Sequence, residues 1–128
     1  NVVRVSEAEM TERLWKKLAV SCVLNPLTAL HSCRNGEALP GREETCRAVC
    51  AEIASLDDCP CTAPDLEEAI YECVAENAAN YSSMYQDVAA GRRTEVDALS
   101  GWVVDRARGG GAPESARLAA AVRALAPR

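Results

Sequence analysis

Apolar positions recur every three or four residues along nearly the whole chain, the period of helices with one buried face. Ser6 followed by Glu9 is a capping box, and the helix it opens runs through Met10, Leu14, Leu18 and Cys22. Asn25-Pro26 punctuates that run. Asn caps helices and Pro suits a first helical position, so a short second helix is predicted from Pro26 to Ser32. After a turn at Arg34-Asn35-Gly36, the spacing predicts a helix over Arg42–Leu56 with Cys46, Val49, Cys50 and Ile53 inward. Asp57–Ala63 is a loop. Thr62, with Asp65 three residues on and Pro64 between them, starts a helix that carries Leu66, Ile70, Cys73 and Val74 to Asn80. Ser82–Ala90 follows, closed by Gly91. Thr94 then opens a helix through Val96, Leu99 and Val103 that breaks at Gly109-Gly110-Gly111, and Pro113–Leu125 ends the chain with Leu118, Val122 and Leu125 inward. No strand alternation and no internal repeat emerges. The expectation is an all-α fold: one helical domain of six to seven helices over residues 1–128, frayed at 1–5 and 126–128.

One stretch departs from the plain amphipathic pattern. Trp15–Asn25 is apolar around most of its circumference, which marks a buried helix, yet Lys17, Ser21 and Asn25 fall on one line at i, i+4 and i+8. An unpartnered buried ammonium costs several kcal/mol or gives up its proton. Lys17 must therefore reach an anion, a ligand or a solvent-filled cleft, or else snorkel outward past Leu14 and Leu18. Further polar clusters lie at Asn77, Asn80, Ser82 and Ser83, and at Thr94-Glu95. Amides, hydroxyls, one Lys and one Glu suit a small hydroxylated carboxylate. Helix capping explains the Asn and Ser positions equally well, and spacing does not separate the two.

Composition narrows the classes. A chain of 128 residues, 48% apolar and 26% charged, is an ordinary globular domain with a single core. It has two Trp, three Tyr and no Phe, so Leu, Val, Ala and Cys must fill that core. The longest apolar stretch, inside Leu18–Leu24, is far short of the ~20 residues of a membrane span. The net charge of −5 opposes nucleic acid as a partner. Charge is also uneven, since residues 65–91 hold six carboxylates and no cation, while 92–128 hold seven Arg against four carboxylates. The Arg-rich end is a solvated helix face or a dock for an acidic partner.

Seven Cys (22, 33, 46, 50, 59, 61 and 73) is an odd number, and most sit within helical apolar patterns. Cys46/Cys50 and Cys59/Cys61 lack the two-residue gap of a zinc knuckle, and His31 is the sole His, so no metal is expected. Buried reduced thiols are, and they imply an intracellular, reducing compartment, cytoplasmic or mitochondrial matrix. The chain begins at Asn1, without signal-peptide layout, as a fragment or a processed protein would.

WKKLAVSCVLNPLTAL (Trp15–Leu30), Arg34-Asn35-Gly36-Glu37 and NYSSMYQDVAAGRRTEVDALSG (Asn80–Gly101) together resemble the signature of the C-terminal domain of ketopantoate reductases. The resemblance runs over residues 6–125 with similar gaps. It implies the helical, substrate-binding and dimerising unit of that family, like a 6-phosphogluconate dehydrogenase C-terminal domain, which follows a Rossmann domain holding NADPH. Position by position, it implies Lys17 as general acid toward the ketone oxygen, and Glu95 as a substrate contact that supports catalysis. It likewise implies Asn25 and Asn80 as amides holding the substrate, and Ser83 at the substrate carboxylate. Ser21 stands where the family usually has Asn, Ser100 replaces an Asn beside Gly101, and Gly109–Gly111 replaces a more ordered turn.

No GxGxxG follows a strand, and Gly109 and Gly111 share only the first spacing of that motif. This chain alone is therefore expected to bind no cofactor. NADPH enters only with a Rossmann domain or partner chain, and without one the helical half is inactive. Two other readings stand beside the catalytic half. One is a non-catalytic structural subunit of a larger, mitochondrial assembly; the other is a stand-alone binder of pantoate-like acids.

Overall fold

The computed structural model describes residues 6–125, and the expected fraying at 1–5 and 126–128 lies outside them. Among the described residues all regular structure is helical. Six α-helices follow in order: α1 (Glu7–His31), α2 (Glu43–Ala54), α3 (Ala63–Asn77), α4 (Ser83–Ala89), α5 (Ser100–Arg106) and α6 (Pro113–Arg123). Short 3₁₀ turns occupy Asn35–Glu37 and Arg108–Gly110. Helix α1 is the axis, and α2, α3, α4 and α6 pack on it, with α5 lying against α6.

The cap signals act as their chemistry dictates. Ser6 Oγ accepts from Glu9 N at 3.2 Å without the return bond of the expected capping box, whereas Thr62 and Asp65 exchange both bonds of one (3.3 and 3.1 Å). Ser82 Oγ accepts from Tyr85 N at 3.0 Å to start α4. Cys46, Val49, Cys50 and Ile53 are all buried, as their spacing on α2 demands. They join Val23, Leu27, Leu66, Ile70 and Leu118 in the main core. A smaller cluster holds Ala29, Met84, Val96, Ala119 and Val122. The N-terminus of α6 has no side-chain cap of its own. The buried Glu52 of α2 supplies one, accepting from Glu114 N, Ser115 N and Ser115 Oγ at 2.8, 2.8 and 2.7 Å.

Three expectations fail. Asn25-Pro26 does not divide α1, which runs through Pro26 without a break. An interior Pro costs about 3 kcal/mol, but residues 22–24 and 26–29 are all buried. Each large apolar side chain buried there returns about 1.5–3 kcal/mol, so packing wins. Thr94 does not open a helix. Residues 95–99 form turns, with Ala98 N and Leu99 N on Glu95 O (3.0 and 3.1 Å), and α5 starts only at Ser100. One straight helix would put Val96, Leu99 and Val103 on one face. The bend at Leu99 (φ −108°, ψ −88°) lets Val96 enter the smaller cluster and Val103 the larger. Leu125, lastly, is 41% exposed because α6 stops before it.

All seven cysteines are free thiols, with Cys22, Cys46, Cys50 and Cys61 buried. Burial pushes the Cys22 thiol up to about 12, and the hydrogen bond that Cys50 donates to Cys46, helped by burial, pushes Cys50 up as well.

Candidate functional site

At 100° per residue, Met10, Leu14, Lys17, Ser21, Asn25 and Thr28 fall within an arc of roughly 80° on α1. That arc changes character along its length. Met10 (49%) and Leu14 (61%) are exposed, Lys17 is exposed, Ser21 and Asn25 are half-buried, and Thr28 is fully buried. The expectation of a buried helix over Trp15–Asn25 therefore fails at its N-terminal end. Lys17 points to solvent rather than into an aliphatic pocket. On the adjoining face Trp15 meets Trp102 of α5 edge-on, centroids 5.8 Å apart, beside an open apolar hollow of about 240 Å³. Leu14, Trp15, Leu18 and Trp102 line it.

At the buried end of the arc, Thr28 Oγ1 donates to Leu24 O at 2.7 Å. Its single proton being used, it accepts from Ser82 Oγ, 2.6 Å away. Ser82 thus caps α4 and bolts it to α1. Its neighbours Asn80 and Ser83 are both exposed.

The segment after α3 is clamped from its other side. Four successive carbonyls at and just beyond the end of α3 each find a donor in the Arg34-Asn35-Gly36 turn. Asn77 O accepts from Asn35 Nδ2 (3.2 Å) and Ala78 O from Gly36 N (2.9 Å). Ala79 O accepts from Arg34 Nη1 (2.8 Å) and Asn80 O from Asn35 N (3.0 Å). A Cβ at Gly36 would lie 2.9 Å from Ala78 Cβ, so only glycine admits this approach. The Arg34 guanidinium also covers the Tyr81 ring at 4.7 Å, and Tyr81 stacks on Tyr85.

Glu95 reaches the same end of the molecule by a different route. Val96 is buried against Ala29 and Met84, which anchors the turn, while Glu95 itself is exposed. Among the described residues it forms no ion pair with Lys17. An ammonium paired with the Glu95 carboxylate is therefore not formed in this structure. Lys17 precedes Thr28 by eleven residues, about 16 Å along α1. The structure thus sets Asn25 one turn before Thr28, Asn80 and Ser83 within two residues of Ser82, and leaves Lys17 and Glu95 exposed. Thr28 escaped the sequence reading, although continuing the Lys17 line by one more turn lands on it. No three His, Cys, Asp or Glu residues group as a metal site among the described residues. None of their helices is long and apolar enough to cross a membrane.

The model of the ketopantoate reductase PanE/ApbA C-terminal family matches residues 9–126. A 2-dehydropantoate 2-reductase of Salmonella typhimurium is 43% identical over 110 residues, covering 82% of this chain and 36% of its own length. One from Halobacterium salinarum is 39% identical over 100 residues, 74% of this chain and 33% of its own. The chain thus spans about a third of the length of these relatives. Among solved structures, a PanE/ApbA family ketopantoate reductase from Ralstonia eutropha superposes with a TM-score of 0.78 at 31% identity. That match covers 89% of this chain and 40% of the other. A D-mandelate dehydrogenase with NADH and anilino(oxo)acetate reaches a TM-score of 0.83 at 20% identity, over 95% and 42%, a likeness of fold.

Proposed function

The chain belongs to the ketopantoate reductase C-terminal family, and on that premise we propose that it is the substrate-binding and catalytic helical half of an NADPH-dependent ketopantoate reductase. The reaction is reduction of ketopantoate to pantoate, a step toward pantothenate. The observation that carries the reading is the single arc of α1 that leads from Lys17 through Ser21 and Asn25 to the Thr28–Ser82 bond, beside which Asn80 and Ser83 are held.

The roles follow from charge. Hydride arriving at a ketone carbon builds negative charge on the oxygen, and an adjacent ammonium both stabilises that charge and gives it a proton. Lys17 is the group on this arc able to do so. Ser83 offers a hydroxyl donor to the carboxylate without adding a charge, and Asn25, Asn80 and Ser21 set the remainder of the substrate. Glu95, exposed on the turn anchored by Val96, would contact the substrate and support catalysis.

The described residues contain no strand, so the βαβ unit that cradles a dinucleotide comes from another domain or chain. Bound there, NADPH supplies the hydride. The exposed Met10 and Leu14, on the same arc as Lys17, are the surface such a domain would cover. Covering them would dry the Lys17 end and strengthen its electrostatics. A homodimer through the helical half is the further partner we propose. The recruited structural subunit and its mitochondrial address draw no support from the relatives named above, which are reductases and a dehydrogenase.

The test is a chimera in which this chain replaces the matching segment of the Salmonella typhimurium relative. We expect NADPH oxidation that depends on ketopantoate, and a fall in kcat of about 100-fold or more in Lys17→Ala. A chimera that folds and binds NADPH yet turns over nothing overturns the reading. So does a Lys17→Ala chimera as active as its parent.

A further inference from the structure

We propose that Asn77 is a positioning residue that decides which end of the Asn80 amide faces the ligand, so that Asn80 accepts a hydrogen bond from a ligand hydroxyl. The inference rests on the reading of Asn80 as a substrate residue and adds a specificity to it.

The two ends of a side-chain amide differ chemically, one donating and one accepting, and the surrounding partners determine their placing. Asn77 Nδ2 lies 3.1 Å from Cys73 O and 3.7 Å from Cys73 Sγ. A backbone carbonyl only accepts, so the nitrogen end of Asn77 must point back along α3 and its oxygen must point onward. Asn80 Nδ2 lies 3.3 Å from that Oδ1. Only the nitrogen end of Asn80 can donate to it, which turns the Asn80 oxygen outward on an exposed side chain.

The frame beneath this relay is fixed. Asn80 N donates to Asn77 O at 3.0 Å, and the buried Asn35 holds Asn77 O through Nδ2 and Asn80 O through its backbone N. The amide direction at Asn80 is thus set by the backbone of α3, through Asn77.

An outward carbonyl oxygen repels a carboxylate and attracts a hydroxyl. Ser83, three residues on, carries a donor that does the opposite. The pair divides a hydroxylated acid between them: Ser83 takes the carboxylate and Asn80 the hydroxyl. Ketopantoate carries such a hydroxyl at the end remote from its carboxylate, and unhydroxylated acids of the same shape lack it.

The experiment is an NMR titration of the ¹⁵N-labelled chain with pantoate, and with the same acid bearing methyl in place of its terminal hydroxymethyl. We expect pantoate to bind about fivefold to tenfold tighter, the worth of one hydrogen bond. Asn77→Ala should bring the two ligands level while leaving affinity for the methyl analogue unchanged. Asn77→Asp, which keeps an acceptor for Asn80 Nδ2, should restore the preference. Asn77→Thr can bond Cys73 O but reaches no further, so it should behave as Asn77→Ala and serves where alanine frays the helix. If Asn77→Ala and Asn77→Thr keep the preference while Asn80→Ala abolishes it, the positioning role is overturned and the substrate role of Asn80 survives. If pantoate shifts no resonance, or binds Asn80→Ala unchanged, the reading of the site falls and this proposal with it.

Discussion

The two ends of helix α1 both carry large apolar side chains and meet opposite fates. Leu14 and Met10 are as apolar as Leu24 and Leu27, yet the first pair is exposed and the second buried. At the C-terminal end α4 is bolted over the helix through Ser82 and Thr28, and α2, α3 and α6 close the remaining sides. At the N-terminal end one side rests on Trp102 and the arc bearing Lys17 is left open. Periodicity thus reports which face wants cover but says nothing about what covers it. An open arc that carries an ammonium is better suited to a second domain and a charged ligand than to a core.

The largest expected effect lies at the closed end. Leu27→Ala removes a side chain that is 2% exposed and should cost about 2–5 kcal/mol in urea unfolding. A cost below about 1 kcal/mol would mean that this end is looser than its packing implies. Thr28→Val comes next. It keeps the shape but leaves the Ser82 hydroxyl without its acceptor, a cost of about 1–3 kcal/mol. Adding Ser82→Ala should return part of that loss, and full additivity in the double-mutant cycle would deny that the two hydroxyls are coupled.

A pH dependence follows from Cys22, at the boundary between the two ends. Its folded thiol is raised to about 12 from 9.0, with burial as the cause. The folded state therefore holds the proton that the unfolded state releases first. The associated stability is complete below pH 9 and is lost as pH climbs toward 12, by up to about 1.4 kcal/mol per unit. Relative to the parent, Cys22→Ala should flatten the alkaline fall in stability. Parallel curves for the two proteins would remove Cys22 as the cause.

Local signals carried most of the fold. Ser6, Thr62 and Ser82 cap because their hydroxyls reach backbone N–H groups three residues on, a matter of neighbouring atoms alone. Pro26 and Thr94 misled for the converse reason. Each is a strong local signal overruled from a distance, Pro26 by burial on all sides and Thr94 by two separate clusters that Val96 and Val103 must fill. For the site, the line of Lys17, Ser21 and Asn25 was visible in the spacing, and the family motifs supplied Asn80, Ser83 and Glu95. The Thr28–Ser82 bond and the clamp at Arg34-Asn35-Gly36 were not visible. They join residues 54 and 42–45 positions apart, and a hydroxyl or amide in sequence carries no address for its partner.

The smallest expected effect sharpens the contrast most. Leu14→Ser, at a side chain 61% exposed, should change the stability of this chain by no more than about 0.5 kcal/mol, whereas the same change in a core would cost several. In the chimera with a cofactor domain, the prediction reverses. If that domain covers the arc, the polar side chain loses apolar burial on assembly, and thermal stability and kcat/KM should both drop although the isolated chain is unaffected. A Leu14→Ser chimera that matches its parent in both would mean that the open arc stays open. Lys17 would then work, if at all, in bulk solvent, where an ammonium has little power to polarise a ketone.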